Sequence, residues 1–321
     1  MVSQTAVERL PTFVALEVLS VLQGERRGAS VPLDGTYFGG ISRAVQALSD
    51  EECGIDPESR TSQVQQSRLL LSTASVQLDS FERDELRTAS DHLYETAERL
   101  PEVEFLRSEY PGECVVVPEW LRTGRVADWG VRAYFFSEGD APTSDEILEK
   151  NIDAVVNGTR PEFERYQGEL HGYPQCCIEA FHDRTQDRPG PEWRSVEPLA
   201  ARFRGDVFRQ EQNPSIDDVL PEFFESEDAY SFFAREFFPE PDCATARAAG
   251  KRVYEVLREE LGAALVQDYF ALNYAFCYAV AKTLREQAPN QSRRPSAGEL
   301  GMEHFSSYAP LSHVLTFPKY A

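Results

Sequence analysis

The sequence predicts an α+β protein, predominantly helical, with a small β-sheet. Three observations carry this. Long stretches repeat apolar residues at helical spacing, as in Leu265, Tyr269, Leu272, Phe276, Val280 and Leu284. Two β-branched and aromatic runs, Glu113 to Val117 and Val131 to Phe136, are bounded by turn residues and read as strands. A hydrophobic content of 41% over 321 residues is enough to bury a real core.

Taken in order, apolar residues recur at helical spacing from Pro11 to Gln23, and Gly24 stops the pattern. Leu33 to Gly40 is a turn-rich connection before a short helix, Ile41 to Leu48. Cys53 falls in an acidic loop. Val64 to Leu100 reads as mostly helical, broken near Asp79, and carries His92. The two strands follow, with Cys114 a small buried residue at the start of the first. Ser144 is placed to cap a helix running to Val156, which Gly158 ends. Pro161 to Leu170 is a further short helical piece, and Trp193 to Phe208 reads as helical. Phe223, Phe224, Phe232, Phe233, Phe237 and Phe238 crowd the next stretch and predict core. Pro239 and Pro241 break the chain. Asp242 is placed to cap a helix with Ala246, Ala249, Val253 and Leu257 on one face. The long apolar helix comes next, with Cys277 beside its stripe. This divides the chain into a helical N-terminal region (1–105), a cysteine-motif core domain (106–288), and a linker with a C-terminal arm (289–321). The strand pair is expected to lie against the helices that carry the cysteine motif.

The net charge is −22, with 54 acidic and 32 basic residues. Only four residues are lysine (Lys150, Lys251, Lys282, Lys319), so nearly all the cations are arginine. Abundant carboxylates with almost no lysine resemble the proteins of salt-accumulating haloarchaea. In molar salt the Debye length falls to about 3 Å, which screens the self-repulsion. The acidity then reads as a solvation adaptation. It argues against broad phosphate binding, while a local cluster, Arg202, Arg204 and Arg209, keeps an RNA partner open. Glu17 interrupts the apolar run Phe13 to Leu22, and no charged leader or cleavage site frames it. Leu261 to Ala281 contains Gln267, Asp268 and Asn273, which suits a buried helix better than a membrane span. The expectation is a cytoplasmic protein with no membrane partner. In that compartment six cysteines are free thiols or metal ligands rather than disulfides.

The chemistry concentrates in one stretch, from His171 to His182. It holds Cys176 and Cys177 and two of the five histidines. With Pro174 at the first helical position, Cys176 is third and Cys177 fourth, both near the positive end of the helix dipole, which favours thiolate. Cys243, directly after Asp242, has the same placement in a second helix. Two helix starts that present thiolates can converge on one cation or one cluster, with His171 or His182 completing the set. Adjacent helical residues diverge by about 100°, which suits an iron–sulfur cluster better than a single small ion. Plain packing of two small residues, or a strained vicinal disulfide, are the alternatives.

The run Gly172-Tyr173-Pro174-x-Cys176-Cys177-x-x-x-Phe181 resembles the signature of an uncharacterised archaeal family, the domain of unknown function 483. The resemblance spans roughly residues 130 to 260. In that family a Pro-Cys-x-x-x-Cys segment follows and opens a helix. Pro239 and Cys243 occupy its place here, one residue closer together than in that pattern, while Glu240 stands where the family often has cysteine. The resemblance implies that the two cysteine segments belong to one site. It brings no activity with it. The candidate metal ligands are therefore Cys176, Cys177 and Cys243, with His171 and Glu240 to complete the set, and zinc or an iron–sulfur cluster as cofactor. Two other functions stay open. One is a thiol enzyme with Cys176 or Cys177 as nucleophile and His171 or His182 as base, although no Asn or Asp orienter stands at a recognisable spacing. The other is a non-enzymatic RNA- or protein-binding module. No G-x-G-x-x-G, Walker A loop or H-E-x-x-H is present.

Overall fold

Residues 131 to 136 are buried at every position, because helices cover both faces of the sheet they belong to. A computed structural model of the chain describes residues 7, 9–33, 41–42, 44–45, 82–123, 126–183, 189–202 and 223–287. The architecture is α+β and mostly helical. Its one sheet has three antiparallel strands in the order β1-β3-β2, with β1 at Gly28–Pro32, β2 at Glu113–Thr123 and β3 at Val126–Phe136. The helices are α1 (Thr12–Leu22), α2 (Arg83–Glu98), α3 (Pro101–Glu109), α4 (Ser144–Asn157), α5 (Arg160–Leu170), α6 (Gln175–His182), α7 (Pro191–Ala200), α8 (Ala244–Leu261) and α9 (Ala263–Gln287). A 3-10 turn, Glu227–Ser231, precedes α8.

Alternation along the strands sorts the core into two layers. Val31, Val116, Ala133 and Phe135 join one cluster with α1, α3, α8 and α9. Val117, Tyr134 and Phe136 join the other with α2, α4 and α5. The register Ser30↔Tyr134 and Val117↔Arg132 keeps each set on its own face. Asn151 of α4 accepts from Trp120 N at 2.7 Å and donates to Trp120 O at 3.1 Å. A side-chain amide thus closes both main-chain groups of a buried strand residue, as burial demands.

Both predicted strands are present and longer than expected. Strand β1 is an addition to the two strands that the sequence predicts. Its five residues, Gly-Ala-Ser-Val-Pro, include one β-branched side chain, and Pro32 is tolerated because it ends an edge strand. Thr143, not Ser144, caps α4, in a capping box with Glu146. Gly158 ends that helix at φ 66°, as expected. Helix α7 begins before Trp193 and ends at Ala200. The helices with the most extensive packing on the sheet are α1, α2, α3 and α4. The motif-bearing helix α6 packs less extensively there, and His171 of the motif contacts Ser30 and Tyr134 of the sheet. Cys53, residues 64–81, Arg204, Arg209 and the arm 289–321 lie outside the described residues. Among those described, no helix is long and apolar enough to cross a membrane.

Candidate metal centre

The first half of the site begins at a turn that only glycine suits. Gly172 has φ 69°, and a Cβ there would come within 2.8 Å of Arg27 N. The turn reverses the chain from α5 into Tyr173 and Pro174. The Pro174 carbonyl then accepts from the N–H groups of Cys177 (2.9 Å) and Ile178 (3.1 Å). Pro174 is thus the N-cap, and α6 starts at Gln175, one residue later than the sequence suggests. Cys176 becomes the second helical residue and is exposed; Cys177 becomes the third and is buried.

The second half is held against the first by aromatic rings. Tyr173 packs on Phe237 at 4.5 Å between centroids, and Phe181 on Phe238 at 5.9 Å. Cys277 of α9 donates to Phe237 O at 3.3 Å, a packing role that agrees with its complete burial. Glu236 (φ 62°) and Asp242 (φ 57°) both take the left-handed conformation, unusual away from glycine, and bracket this segment. Asp242 therefore does not cap α8. Cys243 itself is the N-cap residue.

The sulfurs of Cys176, Cys177 and Cys243 all lie within 4.8 Å of one another. Cys176 Sγ and Cys243 Sγ are 3.2 Å apart, and Glu240 N donates to Cys177 Sγ at 3.5 Å. The expected divergence of adjacent helical residues does not keep Cys176 and Cys177 apart. In the first turn there is no preceding turn to restrict χ1, so neighbouring side chains can lean to a common point.

The electrostatics separate the three thiols. Burial raises Cys177, and burial followed by the Cys243 thiol raises Cys176. Burial also pushes Cys243 upward, but the Ala246 N–H, the two neighbouring thiols and the Thr245 N–H together bring it below its ordinary value. Cys243 at the helix N-terminus is the thiol that deprotonates most readily.

The other predicted ligands have different partners. His171 is 2.9 Å from Ser30 Oγ through Nε2 and stacks on Tyr134. Burial, then the charges of Arg26 and Arg132, hold it well below its usual pKa, so it is neutral. His182 Nδ1 lies 3.7 Å from Glu164. The Glu240 carboxylate meets Arg194 at 3.2 Å. Neither histidine nor Glu240 belongs to the group whose ligand atoms converge.

No sequence pattern marks Arg194. It bonds Ala180 O (2.8 Å) at the end of α6 and Pro189 O (3.1 Å) as well as Glu240, so one guanidinium ties both cysteine segments together. The buried Glu17–Arg26 pair at 3.0 Å was also missed. Its signal is a carboxylate within the apolar run Phe13 to Leu22, where Glu17 otherwise bears only against a targeting segment. No protein-family model, no curated protein and no solved structure matches the chain.

Proposed function

We propose that Cys176, Cys177 and Cys243 bind a single divalent metal ion, with zinc the best fit. The observation that carries this is the convergence of three sulfurs within 4.8 Å, delivered by two helix starts. A tetrahedral zinc with bonds of about 2.3 Å sets its thiolates roughly 3.8 Å apart, in the range of the spacing here. A [4Fe–4S] cluster sets each cysteine on its own iron and calls for wider separation. A soft all-thiolate set favours zinc over the hard cations. With three protein ligands a fourth position is left for water or a substrate group, the pattern of catalytic zinc. When bound, such an ion activates water or polarises a carbonyl.

The resemblance to the archaeal family supports the same reading, with this chain as a divergent member in which Glu240 replaces a cysteine and stands beside the site. The described cysteines are free thiols, which suits a reducing, cytoplasmic setting. A thiol enzyme is less well supported, because neither His171 nor His182 joins the thiols as a base.

Anaerobic purification in high salt followed by elemental analysis tests the proposal. The expected result is one zinc per chain, lost in Cys243→Ser with secondary structure retained. Wild-type protein that folds under those conditions with no bound metal overturns it.

A further inference from the structure

Cys177 belongs to the sulfur trio and also to the wall of a cavity of about 140 Å³. Residues of α1, β1, β3, α5, α6 and α9 line it, together with Arg26 and the 235–238 segment. Two features of this wall stand out. The first is apolar and aromatic surface from Tyr173, Phe181, Phe237 and Phe276. The second is a set of charges taken out of water, which a fold maintains at a cost and which is weak evidence for stability alone. A concave, mostly apolar site with a few convergent polar groups is the usual form of a small-molecule pocket.

The charges are not equivalent. Each carboxylate in the wall already has partners. Glu17 takes Arg26 Nη1 at 3.0 Å and the Arg235 N–H at 3.2 Å. Glu236 takes Arg132 at 3.3 Å, and Glu164 takes Arg160 at 2.7 Å. Arg26 is different. Its side chain is 2% exposed, yet its Nε has no hydrogen-bond acceptor among the described residues. A buried guanidinium N–H without an acceptor bears its full desolvation cost. An anionic oxygen entering the cavity would relieve it. The cavity volume is close to that of an engineered apolar cavity, about 150 Å³, that holds one benzene ring.

We propose that this cavity binds a small carboxylate with a body the size of one ring or a short branched chain, the carboxylate received by Arg26 and the body held by Tyr173, Phe237 and Phe276. Cys177 gives this ligand a wall in common with the metal centre. The inference needs the cavity and not the ion, so it stands apart from the zinc reading.

Titration of the full-length protein with benzoate and isovalerate, followed by ligand-observed NMR and calorimetry, tests it. Benzyl alcohol serves as the neutral control and benzylamine as the cationic one. Benzoate is expected to saturate one site and to bind at least tenfold more tightly than benzyl alcohol, with benzylamine not binding. Arg26→Lys keeps the charge beside Glu17 but removes the Nε–H. It is expected to weaken benzoate at least tenfold with metal content unchanged. Val280→Phe, which fills the cavity, is expected to abolish binding; should it fail to fold, Arg26→Lys and the isosteres still decide. No saturable binding of either carboxylate, equal affinity for benzoate and benzyl alcohol, or full affinity in Arg26→Lys each overturns the proposal. Elemental analysis of the same samples, with and without chelator, separates the two readings. Benzoate binding that persists in stripped protein supports the cavity, and binding that requires the metal and survives Arg26→Lys overturns it.

Discussion

Cys176 Sγ and Cys243 Sγ stand 3.2 Å apart although they are 67 positions apart in sequence. Two thiolates cannot rest that close without a proton or a cation between them. The same proximity makes them the pair to oxidise when no cation is present, because a disulfide needs a sulfur separation of about 2.05 Å and only a small further approach. In metal-free protein, diamide is expected to take two hydrogens from this pair and leave one Cys176–Cys243 disulfide. Cys277 is fully buried and should stay reduced. Bound zinc should slow the reaction at least tenfold. Peptide mapping by mass spectrometry reads both outcomes; a Cys176–Cys177 product, or equal rates with and without zinc, would count against the arrangement.

Arg194 links the two halves of the site through Ala180 O and the Glu240 carboxylate, and Glu240 in turn donates its N–H to Cys177 Sγ. Groups that orient ligands from behind typically change metal affinity 10- to 100-fold when removed. Arg194→Ala is expected to lower zinc affinity by about that factor in a competition titration, with the circular dichroism spectrum unchanged. Arg194→Lys should not restore it, since an ammonium lacks the planar fork that spans three acceptors. Wild-type affinity in either variant would show that the clamp does not hold the sulfurs.

Much of this arrangement was legible and some was not, for physical reasons. The stripe from Leu265 to Leu284 identifies α9 because burial on one helical face leaves a 3.6-residue period. Cys176, Cys177 and Cys243 could be grouped because each stands at a helix start marked by proline or aspartate. The details at those starts were less visible. Pro174 serves as N-cap rather than first helical residue, and Asp242 adopts φ 57° instead of capping, which composition does not reveal. Strand β1 left little trace because five residues with one valine carry almost no strand propensity. Arg194, and the pairing of Glu17 with Arg26, depend on chain segments brought together only by tertiary packing.

Gly250 sits where α8 crosses the 3-10 turn, and a Cβ there would come within 1.6 Å of Tyr230 O. The obstacle is backbone, so a rotamer change cannot relieve it. Gly250→Ala is expected to destabilise the fold by about 3 kcal/mol, at the upper end for overpacking, despite the better helix propensity of alanine. Because α8 carries Cys243 at its start, zinc affinity should fall with it. Denaturant titration gives the first effect and metal competition the second. Unchanged stability would mean that α8 does not lie against the turn as described.

His171 is held neutral in the fold by burial and by the nearby charges of Arg26 and Arg132, well below its ordinary pKa of 6.5. The unfolded chain takes up a proton at this side chain as pH falls through 6.5, and the folded chain does so only far lower. Below 6.5 the unfolded state therefore binds more protons, and stability falls with falling pH. The contribution is fully present above 6.5 and is lost below it, at up to roughly 1.4 kcal/mol per pH unit for one group. His171→Gln removes this proton. The variant is expected to be less stable than wild type at pH 7, since the contact with Ser30 Oγ at 2.9 Å is altered. The gap should narrow steadily as the pH is lowered toward 5. Urea titrations of both proteins at several pH values from 7.5 to 5 measure that gap; parallel stability curves would show that His171 is as readily protonated in the fold as out of it.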